Sequence, residues 1–290
     1  IRVTGKLNNE IYIVNFHNAP NTIREVGRLR ELTFASADGG TGKEIDLDDL
    51  DLSEYCYQQL IVWNPEEQEI VGGYRFIDGA VISEKGDWQK DLSMSHYFQL
   101  SEKFISEYLP FSIELGRSWV QPKYQPVNDP RKGMFALDNI WDGLGAICLK
   151  YKHIKYFYGK VTMYPDYNKM GRDLILGFLS YFFPNKENWI EAKNPLKGHH
   201  DISFFIKKIE NLEYKLAYKE LIKSLRDLEC SLPPLIAAYM NLSLTMRSFG
   251  TALNTNFGQV EETGILISIE DIYSEKKDRH INTCLLYTSP

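Results

Sequence analysis

The sequence lacks the features that mark metal-binding, exported and membrane-spanning proteins. Its four cysteines, Cys56, Cys148, Cys230 and Cys284, are far apart and form no CxxC pair, so neither a zinc site nor a disulfide framework is expected. No apolar run reaches the roughly 18–20 residues that span a bilayer. The first ten residues carry charge without a following apolar segment, unlike a secretory signal peptide. Cytoplasmic residence is therefore the expectation.

An excess of positive charge is also missing from the chain as a whole. The net charge is −6 over 290 residues, which argues against nucleic-acid binding. Between Arg117 and Arg172, however, ten Lys and Arg residues stand against four Asp residues, a local charge of +6. Two interpretations stay open: a solvated helix face, or a surface that docks an acidic partner.

Hydrophobic periodicity and turn residues indicate an α/β domain with one mixed sheet. Helices are predicted at 21–37, 98–108, 133–152, 166–182, 203–229 and 232–244. Strands are predicted at 10–16, 59–63, 69–77, 111–116, 156–165 and 264–272. We expect a cleft beside the central strands.

Charged residues in two of these strands indicate a site. Residues two apart share a face of a strand, so Glu114 lies on the side opposite Ile113 and Leu115. Glu is depleted in strands, and Arg117 follows three residues later. The two residues form either a structural ion pair or a carboxylate held in a cleft, oriented by a guanidinium and able to accept a proton. Arg75 is similarly placed within the strand at 69–77.

Five stretches in order resemble the N-acyl amino acid synthases. They are LRELTF (29–34), IDLDDLD (45–51), EIVGGYR (69–75), ELGRSWVQPKYQ (114–125) and SLPPLIAAYM (231–240). That family includes ornithine-lipid and glycine-lipid N-acyltransferases, some of them labelled hemolysins. It is related to the acyl-homoserine-lactone synthases and shares the GCN5-related N-acetyltransferase (GNAT) fold. The resemblance, which covers about residues 21–270, implies a GNAT-like mixed sheet flanked by helices, with a C-terminal helical and strand extension.

The resemblance also assigns site residues. Glu114 and Arg117 match the family's E-x-x-R and would be catalytic. The residues that match the substrate site are Arg30, Phe34, Asp51 and Arg75. Glu114 could take a proton from an ammonium, and Arg75 or Arg117 could hold the acceptor carboxylate. A structural ion pair with the acidic loop at residues 44–54 stays open for each arginine, and no metal is implied.

The segment after the strand at 111–116 bears on the acyl donor. Acetyl-CoA-dependent relatives hold a pyrophosphate on a glycine-rich loop, whereas residues 121–139 contain one glycine and have three prolines between 122 and 130. Proline removes the backbone N–H donors that a phosphate needs. We therefore predict no tightly bound cofactor and a donor thioester on the phosphopantetheine arm of acyl carrier protein. Its predicted docking residues are Lys123, Arg131, Lys132 and Lys152.

These observations give one predicted function and two alternatives. The prediction is transfer of a long-chain fatty acyl group, with or without a 3-hydroxyl, from acyl carrier protein to the α-amine of an amino acid such as glycine or ornithine. An acyl-CoA- or acetyl-CoA-dependent N-acetyltransferase and a membrane-active hemolysin are the alternatives. We expect a peripheral contact with the inner membrane face. The expected organisation is a core at 1–182, an extension at 183–280 that completes the same domain, and a non-native tail at 281–290.

Overall fold

The computed structural model describes residues 2–125, 128 and 130–282, without the side chains of residues 130, 131, 132, 134 and 282. Its strands are β1 (Arg2–Val3), β2 (Glu10–Val14), β3 (Gln58–Asn64), β4 (Glu69–Asp78), β5 (Phe98–Leu100), β6 (Ser112–Val120), β7 (Tyr156–Met163), β8 (Ile190–Ala192), β9 (Arg247–Asn254) and β10 (Val260–Ser268). Eight of them form one sheet in the order β1-β2-β3-β4-β6-β7-β10-β9, while β5 and β8 pair separately. The sheet is mixed, because β6 and β7 run parallel and the other neighbours run antiparallel.

Helices connect these strands. The α-helices are α1 (Pro20–Ala35), α2 (Asp49–Leu52), α3 (Gly79–Lys85), α4 (Trp88–Asp91), α5 (Pro130–Lys150), α6 (Lys169–Phe182), α7 (Ser203–Ile209), α8 (Tyr214–Asp227), α9 (Pro234–Met240) and α10 (Ser274–Lys277). Short 3₁₀ turns lie at Met94–His96, Leu109–Phe111 and Pro122–Tyr124, and π turns at Phe104–Tyr108 and Asp278–Asn282. The predicted α/β class with a mixed sheet flanked by helices is confirmed.

The two faces of the sheet are covered by different segments. Helix α5 carries apolar residues at helical spacing, among them Ile140, Leu144 and Ile147, and packs them on Leu60 and Phe76. Helix α6 covers the neighbouring strands on that same face, together with α8 and α9. Helix α1 packs on the opposite face, which the segment from 88 to 109 also covers. Strands β3, β4, β6, β7 and β10 therefore have buried side chains on both sides.

Strands β6 and β7 pair along only half of their length. The parallel ladder joins Ser112–Leu115 of β6 to residues 156–159 of β7 and ends there. Beyond this point β6 contains a bulge, because its pairing with β4 shifts register and Arg117 has a φ of 50°. Arg117 and Ser118 have no partner in the ladders to either neighbouring strand. The strands thus separate in the middle of the sheet, where the expected cleft opens.

Some predicted elements were wrong. The segment at 98–108 is a short strand and a π turn, since Phe98 and Leu100 both point into the core from an alternating pattern. The predicted helix at 203–229 is interrupted at residues 210–213, where Glu213 has an extended conformation. Strand β9 was missed because Gly250, with a φ of 80°, lies at a bulge that breaks its alternation.

The C-terminal part of the chain contributes to the central sheet. Strands β9 and β10 lie beyond residue 182, and β10 pairs with β7 along eight residue positions. The proposed limits of core, extension and tail stay predictions. Residues 283–290 of the predicted tail lie outside the described residues.

Candidate active site

A cavity of about 240 Å³ lies where β6 and β7 separate. Its polar wall contains Arg117, Lys160 and Glu262, and its apolar wall contains Leu144 and Phe157. Alternate residues of a strand point to opposite faces, so Lys160 and Phe157 reach the cavity from opposite sides of the sheet. The cavity therefore passes through the sheet, with charged groups toward α1 and an apolar surface toward α5.

The apolar side continues into a second cavity. This smaller space of about 30 Å³ shares Leu115, Leu144, Trp141 and Tyr239 with the first. The Trp141 and Tyr239 rings meet edge to face, with centroids 5.4 Å apart, at the boundary between the two. An apolar chain entering at the gap would extend toward these rings.

A cluster of three arginines and three aspartates lies beside the polar wall; we call it the Arg–Asp cluster (Arg30, Asp46, Asp48, Asp51, Arg75 and Arg117). Arg30 is fully buried, with Nε 2.9 Å from Asp46 Oδ2 and Nη1 3.1 Å from Asp51 Oδ1. Gln59 donates a further bond of 2.8 Å to Asp51 Oδ1. The acidic loop is thereby fixed to α1 and to β3.

The other two arginines join the same loop to the central strands. Arg75 Nη1 lies 2.8 Å from Asp48 Oδ1 and 3.1 Å from Asp51 Oδ2. Arg117 donates from Nε to Asp46 Oδ2 at 2.9 Å, and its guanidinium stacks 4.0 Å from the Phe257 ring centre. Burial would raise the pKa of Asp46, but Arg30, Arg117 and Arg75 together hold it below its usual value.

The predicted substrate residues differ in their access to the cavity. Phe34, Arg75 and Arg117 line it, whereas Arg30 and Asp51 are buried in the cluster and do not. Any contribution of Arg30 and Asp51 to substrate binding is therefore indirect. The cluster carries three positive and three negative formal charges, so the charge of Arg75 is already compensated before a substrate carboxylate binds, although its Nε has no hydrogen-bond partner among the described residues.

Glu114, the predicted proton acceptor, is buried beneath the polar wall. It is 1% exposed, and its Oε1 accepts hydrogen bonds from Tyr57 Oη at 2.7 Å and from the Met94 backbone N–H at 3.1 Å. Its Oε2 is buried without a hydrogen-bond partner among the described residues. Burial raises the pKa of Glu114 above its usual value, although the Tyr57 hydrogen bond and Lys160 oppose this. A raised pKa suits a carboxylate that must accept a proton near neutrality.

Glu114 does not itself line the cavity, and two neighbours separate it from that space. Tyr158 lies opposite Glu114 in the β6–β7 ladder and lines the cavity, as does Ser93. Burial raises the pKa of Tyr158 well above its usual value, so its hydroxyl stays protonated. Tyr158 and Ser93 therefore lie between Glu114 and the cavity, and the Tyr158 hydroxyl has no hydrogen-bond partner among the described residues.

Sequence reasoning missed Lys160 and Glu262. Their charged groups lie 2.9 Å apart in the polar wall, and the two side chains are 8% and 4% exposed. Lys160 could have been found by the rule that singled out Glu114 and Arg75, since it is a charge within a predicted strand. Glu262 could not, because the predicted strand began at residue 264.

The basic stretch is not one surface patch. Arg172 is buried in an ion pair, and Arg117 and Lys160 are largely buried in theirs, so these three contribute little to the outer surface. Lys123 is bound to Glu67 at 2.6 Å and to Glu69 at 2.8 Å. The local count of +6 took no account of these partners, so fewer of its charges face outward than the count implies, and docking of an acidic partner on this stretch stays a prediction.

The remaining docking predictions fall at both ends of α5. Lys123 follows β6 on the side where the cavity opens. Arg131 and Lys132 begin α5 on that side, but their side chains lie outside the described residues. Helix α5 has 21 residues and is about 30 Å long. Lys152, which follows it, is exposed at the far end of the sheet, so its predicted part in docking has no support from its position.

The described part of the chain has neither a cluster of metal ligands nor a membrane-spanning helix. No group of three or more His, Cys, Asp or Glu residues there could hold a metal ion, since the aspartates of the Arg–Asp cluster face guanidiniums. No helix there is long and apolar enough to cross a membrane.

Comparison with known proteins identifies the family. Residues 29–129 match the acetyltransferase (GNAT) domain. The chain is 47% identical to a glycine N(alpha)-acyltransferase of Phocaeicola vulgatus over 98% of this chain and 87% of that protein. It is 49% identical to a glycine N(alpha)-acyltransferase of Bacteroides thetaiotaomicron over 98% of this chain and 84% of that protein. A solved structure of a CoA-dependent acyl-homoserine lactone synthase, BjaI, aligns with a TM-score of 0.43 and 12% identity over 93% of this chain and 86% of that chain. The two close relatives confirm the resemblance found in the sequence, and the chain belongs to this family of N-acyltransferases with the GNAT fold.

Proposed function

We propose that this protein transfers a long-chain fatty acyl group from acyl carrier protein to the α-amine of glycine, forming an N-acylglycine. The observation that carries the proposal is the cavity at the β6–β7 gap, which joins a charged wall to an apolar one. A zwitterionic acceptor suits the first wall and a fatty chain suits the second. The names of the two close relatives support glycine as the acceptor.

The reaction needs no protein nucleophile. The amine nitrogen attacks the thioester carbonyl carbon, a C–N bond forms, and the C–S bond breaks. The nitrogen loses two protons on the way from ammonium to amide; one ends on the departing thiol and the other is released. The protein must accept a proton, align the two substrates and stabilise the oxyanion.

Glu114 is the proposed proton acceptor, acting through Tyr158. Tyr158 lines the cavity and lies opposite Glu114 in the ladder, and neither its buried hydroxyl nor Glu114 Oε2 has a hydrogen-bond partner among the described residues. In this proposal the hydroxyl accepts a proton from the ammonium as it donates its own to Glu114 Oε2. The raised pKa of Glu114 makes the carboxylate a better base than an exposed Glu. A proton could thus leave the cavity without a direct contact to Glu114.

The bulge in β6 is the proposed oxyanion site. Arg117 and Ser118 line the cavity and have no register partner in the strand ladders, and this proposal assigns their backbone N–H groups to the oxyanion. Arg117 adds a guanidinium whose Nε is held by Asp46. In this proposal the Arg–Asp cluster positions Phe34, Arg75 and Arg117 around the reacting carbonyl.

The proposed donor rests on the segment after β6. Its three prolines reduce the backbone N–H groups that could hold the pyrophosphate of coenzyme A, whereas acyl carrier protein presents a single phosphate and an acidic surface. Docking is proposed on the side where the cavity opens, at Lys123, Arg131 and Lys132. The phosphopantetheine arm would then pass between β6 and β7, and the acyl chain would lie against α5.

The test is a side-by-side assay of the two donors with glycine. Purified protein is given a long-chain acyl–acyl carrier protein or the matching acyl-CoA, and N-acylglycine is measured by mass spectrometry. We expect far more N-acylglycine from the acyl–acyl carrier protein than from the matching acyl-CoA. No N-acylglycine from either donor would overturn the function, and equal use of both would overturn the donor alone.

A further inference from the structure

The Lys160–Glu262 pair occupies a special position at the gap. Lys160 follows Gly159, the last residue of β7 that pairs with β6. Strands β7 and β10 are antiparallel, with Lys160 opposite Gly264 and Glu262 opposite Thr162. Lys160 and Glu262 are therefore diagonal neighbours on one face, and both line the cavity.

The pair is buried but loosely built. Lys160 Nζ lies 2.9 Å from Glu262 Oε2 and 3.0 Å from Ser93 Oγ. Glu262 Oε2 nevertheless makes no well-aligned hydrogen bond with any described residue. Burying two charges costs desolvation energy that only good geometry recovers. A pair with spare hydrogen-bonding capacity, facing an open cavity, is suited to exchanging partners with a ligand.

We infer that Lys160 and Glu262 bind the acceptor as an α-amino acid zwitterion, with its carboxylate on Lys160 and its ammonium on Glu262. The inference rests on the proposed acylation of an amino acid. In the free protein each charge compensates the other, and in the complex each has a charge of the substrate as its partner. No buried charge is left unpaired in either state, which keeps the desolvation cost of binding low.

This arrangement has a consequence for selectivity. An amine without a carboxylate, such as glycinamide, can satisfy Glu262 but leaves the Lys160 ammonium without an anion. Unpaired buried charge is costly, so such amines bind weakly. The pair thus selects amino acids and holds the ammonium beside the gap where the thioester carbonyl would lie.

The test compares glycine with glycinamide. Wild type and Lys160→Met are assayed with both a long-chain acyl–acyl carrier protein and the matching acyl-CoA, so that the donor proposal does not affect the result. We expect wild type to prefer glycine in kcat/KM, and Lys160→Met to lower the glycine-to-glycinamide ratio about 10- to 100-fold. Lys155→Met, which removes an exposed lysine before β7, is the matched control and should keep the ratio.

Glu262→Gln tests the other half of the site. We expect the KM for glycine to rise about 10-fold or more while the KM for the donor stays constant. Glu261→Gln is the matched control, since Glu261 points to the other face and binds Arg172 and Lys169. If either single variant unfolds, the Lys160→Met/Glu262→Gln double variant removes both charges together and should show the same loss of selectivity.

The outcomes separate the two proposals. Wild type that does not acylate glycine contradicts the proposed function and with it this inference. Wild type that acylates glycine, combined with an unchanged glycine-to-glycinamide ratio in folded Lys160→Met or the double variant, contradicts the inference alone.

Discussion

The Arg–Asp cluster and the Lys160–Glu262 pair lie on the same face of the sheet but are built in opposite ways. In the cluster, three guanidiniums and three carboxylates hold each other through several hydrogen bonds of 2.8–3.1 Å. The pair has one contact between opposite charges, a serine beside it and the cavity in front of it.

The comparison shows that buried charge alone does not identify a substrate site. A network of three arginines and three aspartates, each bound to residues of the opposite charge, holds elements together, here α1, the acidic loop, β4 and β6. A pair with open hydrogen-bonding positions beside a cavity can accept a ligand. We therefore expect substitutions in the cluster to affect mainly stability, and those at the pair to affect mainly acceptor binding.

Glu114→Gln should have the largest effect on the reaction. The substitution keeps size and the two bonds to Oε1 but removes the proton acceptor, so kcat should fall about 10²- to 10⁴-fold. Steady-state assays give kcat, and circular dichroism checks the fold. An unchanged kcat would show that Glu114 is a structural strand residue.

The pH dependence sharpens this prediction. Because the pKa of Glu114 is raised in the folded state, its share of stability is present below its unfolded pKa and is lost as pH rises through the folded value. Glu114→Gln should therefore gain stability relative to wild type as pH rises toward 8. Urea unfolding of both proteins at pH 5 and pH 8 measures this gain. A variant that instead loses stability relative to wild type between pH 5 and pH 8 would contradict the assigned burial cost.

Asp51→Asn should have the largest effect on stability. Asp51 faces both Arg30 and Arg75, so its loss leaves buried positive charge uncompensated, at a cost of about 3–5 kcal/mol. Urea unfolding measures the change, with exposed Asp49→Asn in the same loop as the matched control. A stable Asp51→Asn protein with a raised glycine KM would reverse the roles of cluster and pair.

Trp141→Ala should have a smaller, selective effect on the apolar side. Removing the ring joins the apolar side of the main cavity to the smaller second cavity. The kcat/KM for longer acyl chains should therefore rise about 10-fold relative to that for shorter ones. A mixture of acyl–acyl carrier proteins, with products separated by mass, measures the preference. The preference among acceptors should stay constant. An unchanged chain-length profile would show that the acyl chain does not lie on this side of the sheet.

Charge reversal near the entrance should have the smallest effect. Single ion pairs between surface charges contribute about 0.2–1 kcal/mol, so if Arg131 or Lys132 docks the carrier through such a pair, Arg131→Glu or Lys132→Glu should raise the KM of acyl carrier protein only a few-fold, and less at high salt. The control is Lys155→Glu, because Lys155 lies past the C-terminal end of α5, far from the entrance. Equal effects at both ends would place docking elsewhere.

The sequence predicted the E-x-x-R strand and its neighbours well because strand alternation and the family resemblance agree there. It could not predict partners, since spacing along the chain does not tell which aspartate meets Arg30 or Arg75. The charge count over the basic stretch could not predict how much of that charge faces outward, because it takes no account of burial: Arg172 and Lys160 lie inside. Glu262 was missed because the bulge in β9 and the strand start at Val260 leave no clear alternation in that region.

The most direct test of this account is the glycine dependence of N-acylglycine formation in wild type, Glu262→Gln and Asp51→Asn, measured together with urea unfolding of each. The account predicts that Glu262→Gln raises the glycine KM and unfolds near the wild-type midpoint. It predicts that Asp51→Asn unfolds at much lower urea and, where folded, keeps its glycine KM. A wild-type glycine KM in Glu262→Gln would contradict it.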